Sequence, residues 1–258
     1  MSNATQKNPT IALVTGGSRG LGKSMALHLA DRGVGVVITY RSAEDEARAV
    51  VAAIEAKGGR AAALQLDVAD SSSYGAFAER LASTLADRFG AERLDHLVNN
   101  AGHGVWAMFE QTTEEQFDGL VDVHLKAPFF LTQRLLPLMN DGGSVLNVSS
   151  GLARFSYPGY AAYASMKAAV ETLTRYMAAE LGARRIRVNT LAPGAIETDF
   201  GGGVVRDNAD VNKMIAGQTA LGRVGLPDDI GGAVALLLSP EAGWINGQRV
   251  EVAGGVHL

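Results

Sequence analysis

The chain has 258 residues, with 23 basic and 27 acidic side chains and therefore a formal net charge of −4. It contains no cysteine, which excludes a disulfide scaffold, a thiolate nucleophile and a cysteine-ligated metal site. The mild acidity argues against a nucleic-acid partner, because binding to phosphates needs a basic surface. Glycine is the one unusual count, at 31 of 258 residues (12%) against an average of about 7%.

The start of the chain is polar. Residues 1–9 have no apolar core of the kind that a secretory signal needs, and residues 2–4 resemble a remnant of a cloning vector. We expect these nine residues to be a disordered lead-in to a single domain over residues 10–258. No stretch free of charged side chains is long enough to cross a bilayer. The sequence therefore predicts a soluble protein of the cytoplasm that has no membrane partner.

Six short apolar segments, several of them rich in β-branched residues, alternate with longer segments of helical spacing. Apolar runs of this length between turn residues are typical of strands that are buried on both faces. The alternation predicts right-handed β-α-β units, which build a parallel sheet with helices on both faces. The predicted strands are residues 11–15, 34–40, 61–66, 94–99, 144–149 and 187–192.

The helical segments have start signals of their own. Thr113 and Gln116 have the spacing of a capping box, which predicts a helix that reaches Leu135. Residues 43–57 and 160–181 are further candidate helices. The rhythm breaks only at residues 199–221, where three consecutive glycines precede a short amphipathic stretch. That segment is either a flexible lid near a site or an ordinary long loop.

A glycine-rich motif, TGGSRGLG at residues 15–22, directly follows the first predicted strand. Glycines in this position allow a tight turn and let the main chain approach a pyrophosphate at the amino end of the next helix. A glycine-rich turn without a ligand is the alternative. The residues predicted to bind a dinucleotide here are Gly16, Gly17, Ser18, Arg19, Gly20, Leu21 and Gly22.

The end of the second predicted strand indicates which dinucleotide is bound. An NAD enzyme usually carries an acidic residue there, about 20 residues after the glycine loop, to hold the ribose 2′-hydroxyl. This chain has Arg41 instead, and its first carboxylate is Glu44. Arg41 and Arg19 would suit a 2′-phosphate, because a guanidinium is always charged and binds phosphate with two donors. NADP(H) is therefore favoured over NAD(H), with a solvated surface Arg41 as the alternative.

Further short motifs follow in a fixed order. They are Asp67 with Val68, the NNAG run that includes Asn100, Ala101 and Gly102, Ser150, Tyr163 with Lys167, Pro193 with Gly194, Ile196 and Thr198, and Gly254 with Gly255. With the glycine loop, this series resembles the short-chain dehydrogenase/reductase family over nearly the whole chain. The resemblance implies a three-layer, doubly wound α/β fold (the Rossmann fold) of about seven parallel strands. It also implies that the cofactor is lined by Asp67, Val68, Asn100, Ala101, Gly102, Tyr163, Lys167, Pro193, Gly194, Ile196 and Thr198.

Tyr163 and Lys167 lie four residues apart on a predicted helix and therefore on one face. A nearby ammonium is expected to lower the pKa of the phenol, so that Tyr163 can give a proton to a carbonyl oxygen or take it back. Ser150 would hydrogen-bond that oxygen as negative charge develops on it. The family implies that Lys167 also holds the nicotinamide ribose. The alternative is a half-buried tyrosine with a lysine packed beside it.

One candidate catalytic position departs from the family. Where the family has an asparagine that is thought to hold a water in a proton relay, the segment VDVHLKAPFF places His124. An imidazole can also bridge a water, and it titrates near neutral pH. A packed helix histidine without a catalytic role is the alternative. The other histidines have no metal-ligand spacing, so we predict no metal site.

The sequence thus predicts an NADP(H)-dependent oxidoreductase that interconverts a carbonyl and a secondary alcohol by hydride transfer. A catalytically impaired dinucleotide-binding regulator or scaffold, and an NAD-linked alcohol dehydrogenase of the same family, remain alternatives. Intact Ser150, Tyr163 and Lys167 argue against the regulator, and His124 is the one feature in its favour.

The partners predicted are a small-molecule carbonyl or alcohol and further copies of the chain. The family places a mostly apolar set around the substrate, which suits a hydrophobic body beside the carbonyl. A 3-oxoacyl thioester, a cyclic ketone or steroid, a quinone and a sugar-like ketone all remain open. The resemblance implies a homotetramer or a homodimer packed through residues 113–135, 160–181 and 244–258. The candidate substrate residues are His103, Trp106, Leu152, Phe155, Tyr157 and Phe200.

Overall fold

The computed structural model describes residues 9–258, so the predicted lead-in lies, except for Pro9, outside the described residues. Seven strands form one parallel sheet in the order β3-β2-β1-β4-β5-β6-β7. The strands are β1 (Ile11–Val14), β2 (Gly35–Tyr40), β3 (Ala61–Gln65), β4 (Leu94–Asn99), β5 (Met139–Val148), β6 (Arg187–Pro193) and β7 (Arg249–Val252).

Nine α-helices are seen in the described part of the chain, and most of them connect one strand to the next. The π-helical turn Leu85–Phe89 extends α3, and a second π-helical turn, Asp122–Lys126, joins α4 to α5. The helices are α1 (Gly20–Asp31), α2 (Glu44–Glu55), α3 (Tyr74–Thr84), α4 (Glu114–Val121), α5 (Ala127–Leu135), α6 (Ala161–Glu180), α7 (Val204–Asp207), α8 (Ala209–Gly217) and α9 (Pro227–Leu237).

The sheet is covered on both faces. In β1, Ile11 and Leu13 pack on one face against α3, α5 and α6. Ala12 and Val14 pack on the other face against α1, α2 and α9. All four side chains are fully buried, because consecutive strand residues point to opposite faces and both faces carry a helix layer. The predicted three-layer, doubly wound fold is therefore confirmed.

Several local predictions are confirmed and others need correction. The capping box is present, with the Thr113 side chain accepting from the main chain of Gln116 and the Gln116 side chain accepting in return. The fifth strand is longer than predicted, starting at Met139. Residues 199–221 are not a plain loop, because they form a 3₁₀ turn, Phe200–Gly203, followed by α7 and α8.

Strand order places the site. β1 lies in the sheet interior with β2 on one side and β4 on the other, so the loops that leave β1 and β4 diverge and open a crevice. The predicted motifs all lie on segments that leave the carboxyl ends of strands at this edge, except Tyr163 and Lys167, which are on α6. No helix among residues 9–258 is both long and apolar enough to cross a membrane.

Candidate active site

The glycine loop forms a narrow turn that only glycine permits. Gly16 and Gly20 have φ values of +65° and +54°, in the left-handed region. A Cβ on Gly22 would lie 2.2 Å from the Gly16 carbonyl oxygen. Helix α1 begins at Gly20 with no acidic residue in its first turn and no side chain capping its amino end. Its first main-chain N–H groups are therefore left for an anion, which the helix dipole also favours.

The loops after β1 and β4 are tied together beneath this turn. The Asn100 side chain donates to the carbonyl oxygen of Thr15 at 2.8 Å, and the Thr15 hydroxyl accepts from the main chain of Asn100 and Ala101 at 3.0 Å each. A Cβ on Gly16 would lie 3.0 Å from the Ala101 Cα, so the two loops are in contact. On the other side, the Thr198 methyl group lies 3.6 Å from where a Gly20 Cβ would be.

The remaining candidate cofactor residues flank this centre. Val68 is buried after β3, while the Asp67 carboxylate is exposed and accepts from the main chain of Ala69. Beyond β6, Ile196 forms an isolated bridge with Gly225. In the glycine loop, Gly17 and Ser18 are buried and Leu21 follows them; Gly102 lies in the NNAG loop. Pro193 ends β6. A Cβ on the next residue, Gly194, would lie 3.0 Å from Ala253.

Arg19 and Arg41 are both exposed at this edge. Within residues 9–258, neither guanidinium is paired with a carboxylate. The pKa of the His103 imidazole is lowered, chiefly by burial and next by the positive charge of Arg41. Arg41 is therefore close enough to the mouth of the site to act on it electrostatically.

Ser150, Tyr163 and Lys167 come together at the carboxyl end of β5. Tyr163 and Lys167 lie on one face of α6 and are 6% and 5% exposed. The Ser150 hydroxyl accepts from the main chain of Leu152 at 3.2 Å and lies close enough to the Tyr163 phenol to lower its pKa. The Lys167 ammonium donates to the Val148 carbonyl oxygen at 2.7 Å and lies 5.5 Å from the centre of the Tyr163 ring.

Burial disfavours the charged forms of both Tyr163 and Lys167. Burial raises the pKa of Tyr163 well above its usual value, and the nearby Ser150 hydroxyl opposes this only in part. Burial lowers the pKa of Lys167 to about 7. The expectation of a lowered tyrosine pKa is therefore wrong for the groups of this chain, because burial of the phenol dominates.

His124 lies in the π-helical turn between α4 and α5 and is 2% exposed. Its Nε2 lies 2.7 Å from the His103 carbonyl oxygen, which only accepts, so the proton is on Nε2. Nδ1 is buried and has no hydrogen-bond partner within residues 9–258. The ring meets Tyr163 edge-on with centres 5.2 Å apart.

The charge state of His124 differs from the expectation. Burial, and next the charge of Lys167, lower the pKa of this imidazole well below 6.5. The expectation that it titrates near neutral pH is therefore wrong. At neutral pH His124 is a neutral ring with one donor in use and one acceptor beside the Tyr163 ring.

Part of the predicted substrate set surrounds Tyr163. The Phe200 ring lies 5.6 Å from the Tyr163 ring, and a Cβ on Gly104 would lie 2.7 Å from Phe200. Leu152 packs in a cluster with Tyr163. The His103 ring lies 5.6 Å from His124. Tyr160 also lies at the site, with its ring 6.3 Å from that of Tyr163, and sequence reasoning missed it. The signal that could have found it is its position three residues before Tyr163, at the start of the same helix.

The other predicted substrate residues lie further out and stay predictions. Phe155 packs on the His257 ring, with centres 4.5 Å apart, rather than on Tyr163. Trp106 is 62% exposed and covers Gly159, where a Cβ would clash with its indole nitrogen. Tyr157 is 43% exposed and reaches Tyr160 only. No cluster of three or more His, Asp or Glu side chains in the described part of the chain could hold a metal ion.

Comparison with known proteins identifies the family. A family model described as enoyl-(acyl carrier protein) reductase, one of the short-chain dehydrogenase/reductase models, matches residues 16–257. The chain belongs to the short-chain dehydrogenase/reductase family. A curated relative, the hydroxynaphthalene reductase-like protein Arp2 of Metarhizium brunneum, is 38% identical over 256 residues, covering 95% of this chain and 94% of that protein.

Solved structures of the family match over the same extent. The angucycline C-6 ketoreductase LanV with bound NADP has a TM-score of 0.90 and 38% identity, covering 95% of both chains. The reductase LugOII, which catalyses keto-reduction at C1 during lugdunomycin biosynthesis, has a TM-score of 0.92 and 39% identity, covering 96% of this chain and 98% of that one. The chain is thus an oxidoreductase that acts on CH–OH and C=O groups of small molecules.

Proposed function

We propose that this chain is an NADPH-dependent ketoreductase in which Tyr163 is the general acid. The observation that carries the proposal is the grouping of Ser150, Tyr163 and Lys167, with the Lys167 ammonium 5.5 Å from the centre of the phenol ring, next to a glycine turn of dinucleotide-binding shape. The three side chains are held by β5 and α6, which are rigid elements of the sheet layers. This arrangement is able to protonate a carbonyl oxygen that enters beside it.

The residues at the glycine turn fit a dinucleotide. The close approach of Gly22 to Gly16 leaves no room for a side chain, and the uncapped first turn of α1 offers N–H groups to a pyrophosphate. NADPH, when bound, supplies the hydride that reduces the carbonyl carbon. The guanidiniums of Arg19 and Arg41, which have no carboxylate partner among residues 9–258, support a 2′-phosphate and hence NADP(H) over NAD(H). The neighbour LanV, solved with NADP, supports the same preference.

The proton chemistry belongs to the chain. Burial keeps Tyr163 protonated at neutral pH, so the phenol is available as an acid when the carbonyl oxygen gains charge. The Ser150 hydroxyl donates to the same oxygen and stabilises that charge in a site from which water is largely excluded. Lys167 then stabilises the phenolate left behind, because its ammonium is 5.5 Å from the ring centre. In the reverse direction the same groups take a proton from an alcohol.

The walls of the site support a flat, aromatic substrate. Rings of Phe200, Tyr160 and His124 surround Tyr163 at centre distances between 5.2 and 6.3 Å. Such walls match a planar apolar body better than a flexible chain, because ring faces and edges pack at these distances. A relative named for hydroxynaphthalene and a neighbour named for angucycline reduction point the same way. We therefore propose a polycyclic aromatic ketone as the substrate class.

A carbonyl panel tests the proposal. Purified protein is incubated with NADPH and a set of polycyclic aromatic ketones, 3-oxoacyl thioesters, steroids and sugar-like ketones, and NADPH loss is followed by absorbance. Reduction of an aromatic ketone that Tyr163→Phe lowers at least 1,000-fold, with NADPH binding retained, supports the proposal, in line with loss of an acid worth about 10²–10⁴-fold. NADPH binding without turnover of any compound would instead favour a regulator.

We also propose that the chain assembles as a homotetramer. Phe117, Phe129 and Phe130 on α4 and α5, and Tyr176 on α6, are between 42% and 66% exposed, and Trp244 near the carboxyl end is fully exposed. Large exposed apolar side chains on long helices are typical of subunit interfaces. Light scattering after size-exclusion chromatography measures the assembly. Phe130→Glu is expected to give smaller particles, whereas Phe109→Glu, at a more exposed ring outside α4–α6, is the control.

A further inference from the structure

We infer that Glu171 and Arg249 are positioning residues that hold Ser150 in place relative to Tyr163. The inference rests on the proposed function, because it concerns how the same active site is built. Neither residue belongs to the motifs that mark the cofactor and the reacting groups. Both are nevertheless connected by hydrogen bonds to the main chain and side chains at the end of β5.

The first half of the connection runs along one face of α6. Tyr163, Lys167 and Glu171 follow one another at intervals of four residues and therefore share that face. The Lys167 ammonium donates to the Val148 carbonyl oxygen at 2.7 Å. The Ser149 hydroxyl donates to the Glu171 carboxylate at 2.6 Å and contacts the Lys167 carbonyl oxygen at 3.2 Å. Two consecutive residues of the chain are thus held by two consecutive turns of the helix.

The second half comes from β7. Arg249 donates from Nε to Glu171 Oε1 at 2.7 Å and from Nη2 to the Ser150 carbonyl oxygen at 3.3 Å. Its third contact, Nη1 with Glu251 Oε2, is 3.1 Å long. Glu251 in turn pairs with Arg154 at 3.3 Å, so the four charges alternate in sign along the cluster. Ser150 is therefore reached by a guanidinium whose orientation is set by two carboxylates.

Burial makes this ion pair different from those on the surface. The side chains of Arg249 and Glu171 are 23% and 15% exposed, whereas most other ion pairs of the described chain have partners that are about half exposed. A partly buried pair is less screened by salt, and removal of one partner leaves the other charge poorly solvated. Loss of either side chain is therefore expected to move the main chain around Ser150 rather than to leave it in place.

A small movement of Ser150 matters because its hydroxyl has two partners in the reaction. It acts on the Tyr163 phenol, whose pKa it lowers, and must at the same time meet the substrate oxygen. Misplacement of a reacting group by about 1 Å can cost about 100-fold in rate. Because Ser150 lowers the Tyr163 pKa against the effect of burial, a displaced Ser150 leaves that pKa higher.

The experiment compares Glu171→Gln and Arg249→Met with Ser150→Ala in the full-length protein. We expect both variants to lower kcat about 10- to 100-fold with NADPH affinity unchanged within twofold, because neither residue lies at the glycine turn. In the direction of alcohol oxidation, the acidic limb of the kcat–pH profile, where the rate rises as Tyr163 loses its proton, should shift to higher pH in both, as in Ser150→Ala. The other titratable groups that face Tyr163 are Lys167, Tyr160 and His124, and all three are retained.

Matched controls come from the opposite end of β5. There Arg184 donates to the Asp141 carboxylate and to the carbonyl oxygens of Leu136 and Met139, a set of contacts like that of Arg249. Asp141→Asn and Arg184→Met therefore remove a more exposed ion pair at the other end of β5 without touching Ser150. They are expected to keep the wild-type kcat and pH profile, even where they lower the melting temperature.

The outcomes separate this inference from the proposed function. If Ser150→Ala loses activity but Glu171→Gln keeps wild-type kcat and pH profile, the inference is wrong and the proposed function stands. If the wild type reduces no carbonyl, the proposed function fails, and the inference fails with it. Should Arg249→Met not fold, Arg249→Lys decides the point, because it keeps the charge but not the bond to Ser150. Wild-type kcat in Arg249→Lys would contradict a positioning role for Arg249.

Discussion

Tyr163 and Lys167 are adjacent groups that both resist charge. Burial raises the pKa of the phenol and lowers that of the ammonium to about 7. The neutral phenol is the form that donates a proton, so at neutral pH it can act as the acid in carbonyl reduction, whereas alcohol oxidation needs the phenolate. The nearby Ser150 hydroxyl opposes the effect of burial, because it lowers the phenol pKa. Proton transfer thus depends on one hydroxyl group as much as on the lysine.

At the same scale, Arg41 decides between the two dinucleotides. Arg41→Ala is expected to weaken NADPH binding about 10- to 100-fold, since hydrogen bonds to charged groups contribute about 1.5–3 kcal/mol. NADH lacks the 2′-phosphate, so its dissociation constant should stay within twofold. Fluorescence titration of both cofactors measures the difference. Arg48→Ala removes a nearby exposed guanidinium that is paired with Glu44, and it serves as the control. An equal loss for NADPH and NADH would contradict the assignment.

His124 tests whether the departure from the family pattern matters for turnover. Its Nε2–H is fixed by the His103 carbonyl oxygen, and its free Nδ1 can accept a hydrogen bond from a water beside Tyr163. His124→Ala is expected to lower kcat at least 10-fold with NADPH affinity retained, because it removes this acceptor and opens a cavity next to the phenol. Single-turnover rates and cofactor titration measure the two effects. Unchanged turnover in the alanine variant would show that His124 only packs.

At the scale of elements, the sequence predicts best where local chemistry decides the structure. The capping box at Thr113 specifies the start of α4, because the two side chains satisfy main-chain donors that no neighbour could reach. The glycine loop is equally local, since the left-handed φ of Gly16 and Gly20 excludes most other residues. Such features need no knowledge of the rest of the chain.

Other parts of the site depend on contacts between distant residues. The π-helical turn that places His124 against Tyr163 has no signal in its own residues. Arg249 reaches Glu171, 78 residues away in sequence, and the strand that carries it was not among the predicted strands. The pKa of Tyr163 was predicted in the wrong direction, because burial cannot be read from a four-residue spacing. A sequence shows which charged residues can pair, but it does not show how far burial shifts the pKa of each group.

Residues 199–221 have the features of a segment that can move over the active site. Gly201, Gly202 and Gly203 all have positive φ, and Phe200 lies over Tyr163. We propose that this segment is a lid that closes over the substrate. Trypsin should cut at the exposed Arg206 or Lys213 several-fold more slowly when NADP and a bound ketone are present. Mass spectrometry of the fragments gives the rates.

The control for the lid is Arg175, an exposed residue in the long helix α6. Cleavage there requires unfolding of the helix, so its rate reports general stabilisation by ligand rather than lid closure. Protection at Arg206 and Lys213 that exceeds protection at Arg175 supports a lid. Equal protection at all three positions would mean that the segment does not close independently.

At the scale of the whole molecule, the order of the sheet explains why scattered motifs meet. Parallel strands bring all their carboxyl ends to one edge, so residues after β1, β4, β5 and β6 converge although they are far apart in sequence. The site could therefore be predicted even where strand boundaries were several residues off, as with β5. Convergence depends on strand order and direction, which a repeated β-α-β pattern specifies.

Stability against acid is a second property of the whole molecule. His96 lies in β4 between Ala12 of β1 and Ser144 of β5, and burial lowers its pKa to about 4. Asp95 opposes this shift and Arg187 adds to it. Above pH 6.5 the histidine is neutral whether the protein is folded or unfolded. Between pH 6.5 and 4 only the unfolded chain binds the proton, so the free energy of unfolding falls as the pH is lowered.

His96→Gln should therefore make the protein less sensitive to acid. Each such histidine contributes a slope of up to about 1.4 kcal/mol per pH unit in this window, and His124 continues to contribute in the variant. Urea unfolding at pH 7, 5.5 and 4.5 measures the slope for each protein. Ser144→Ala removes the 2.7 Å hydrogen bond to His96 but leaves the imidazole, so it should lower stability at every pH while keeping the slope. If His96→Gln and the wild type lose stability equally between pH 6.5 and 4.5, proton uptake at His96 does not drive the acid transition.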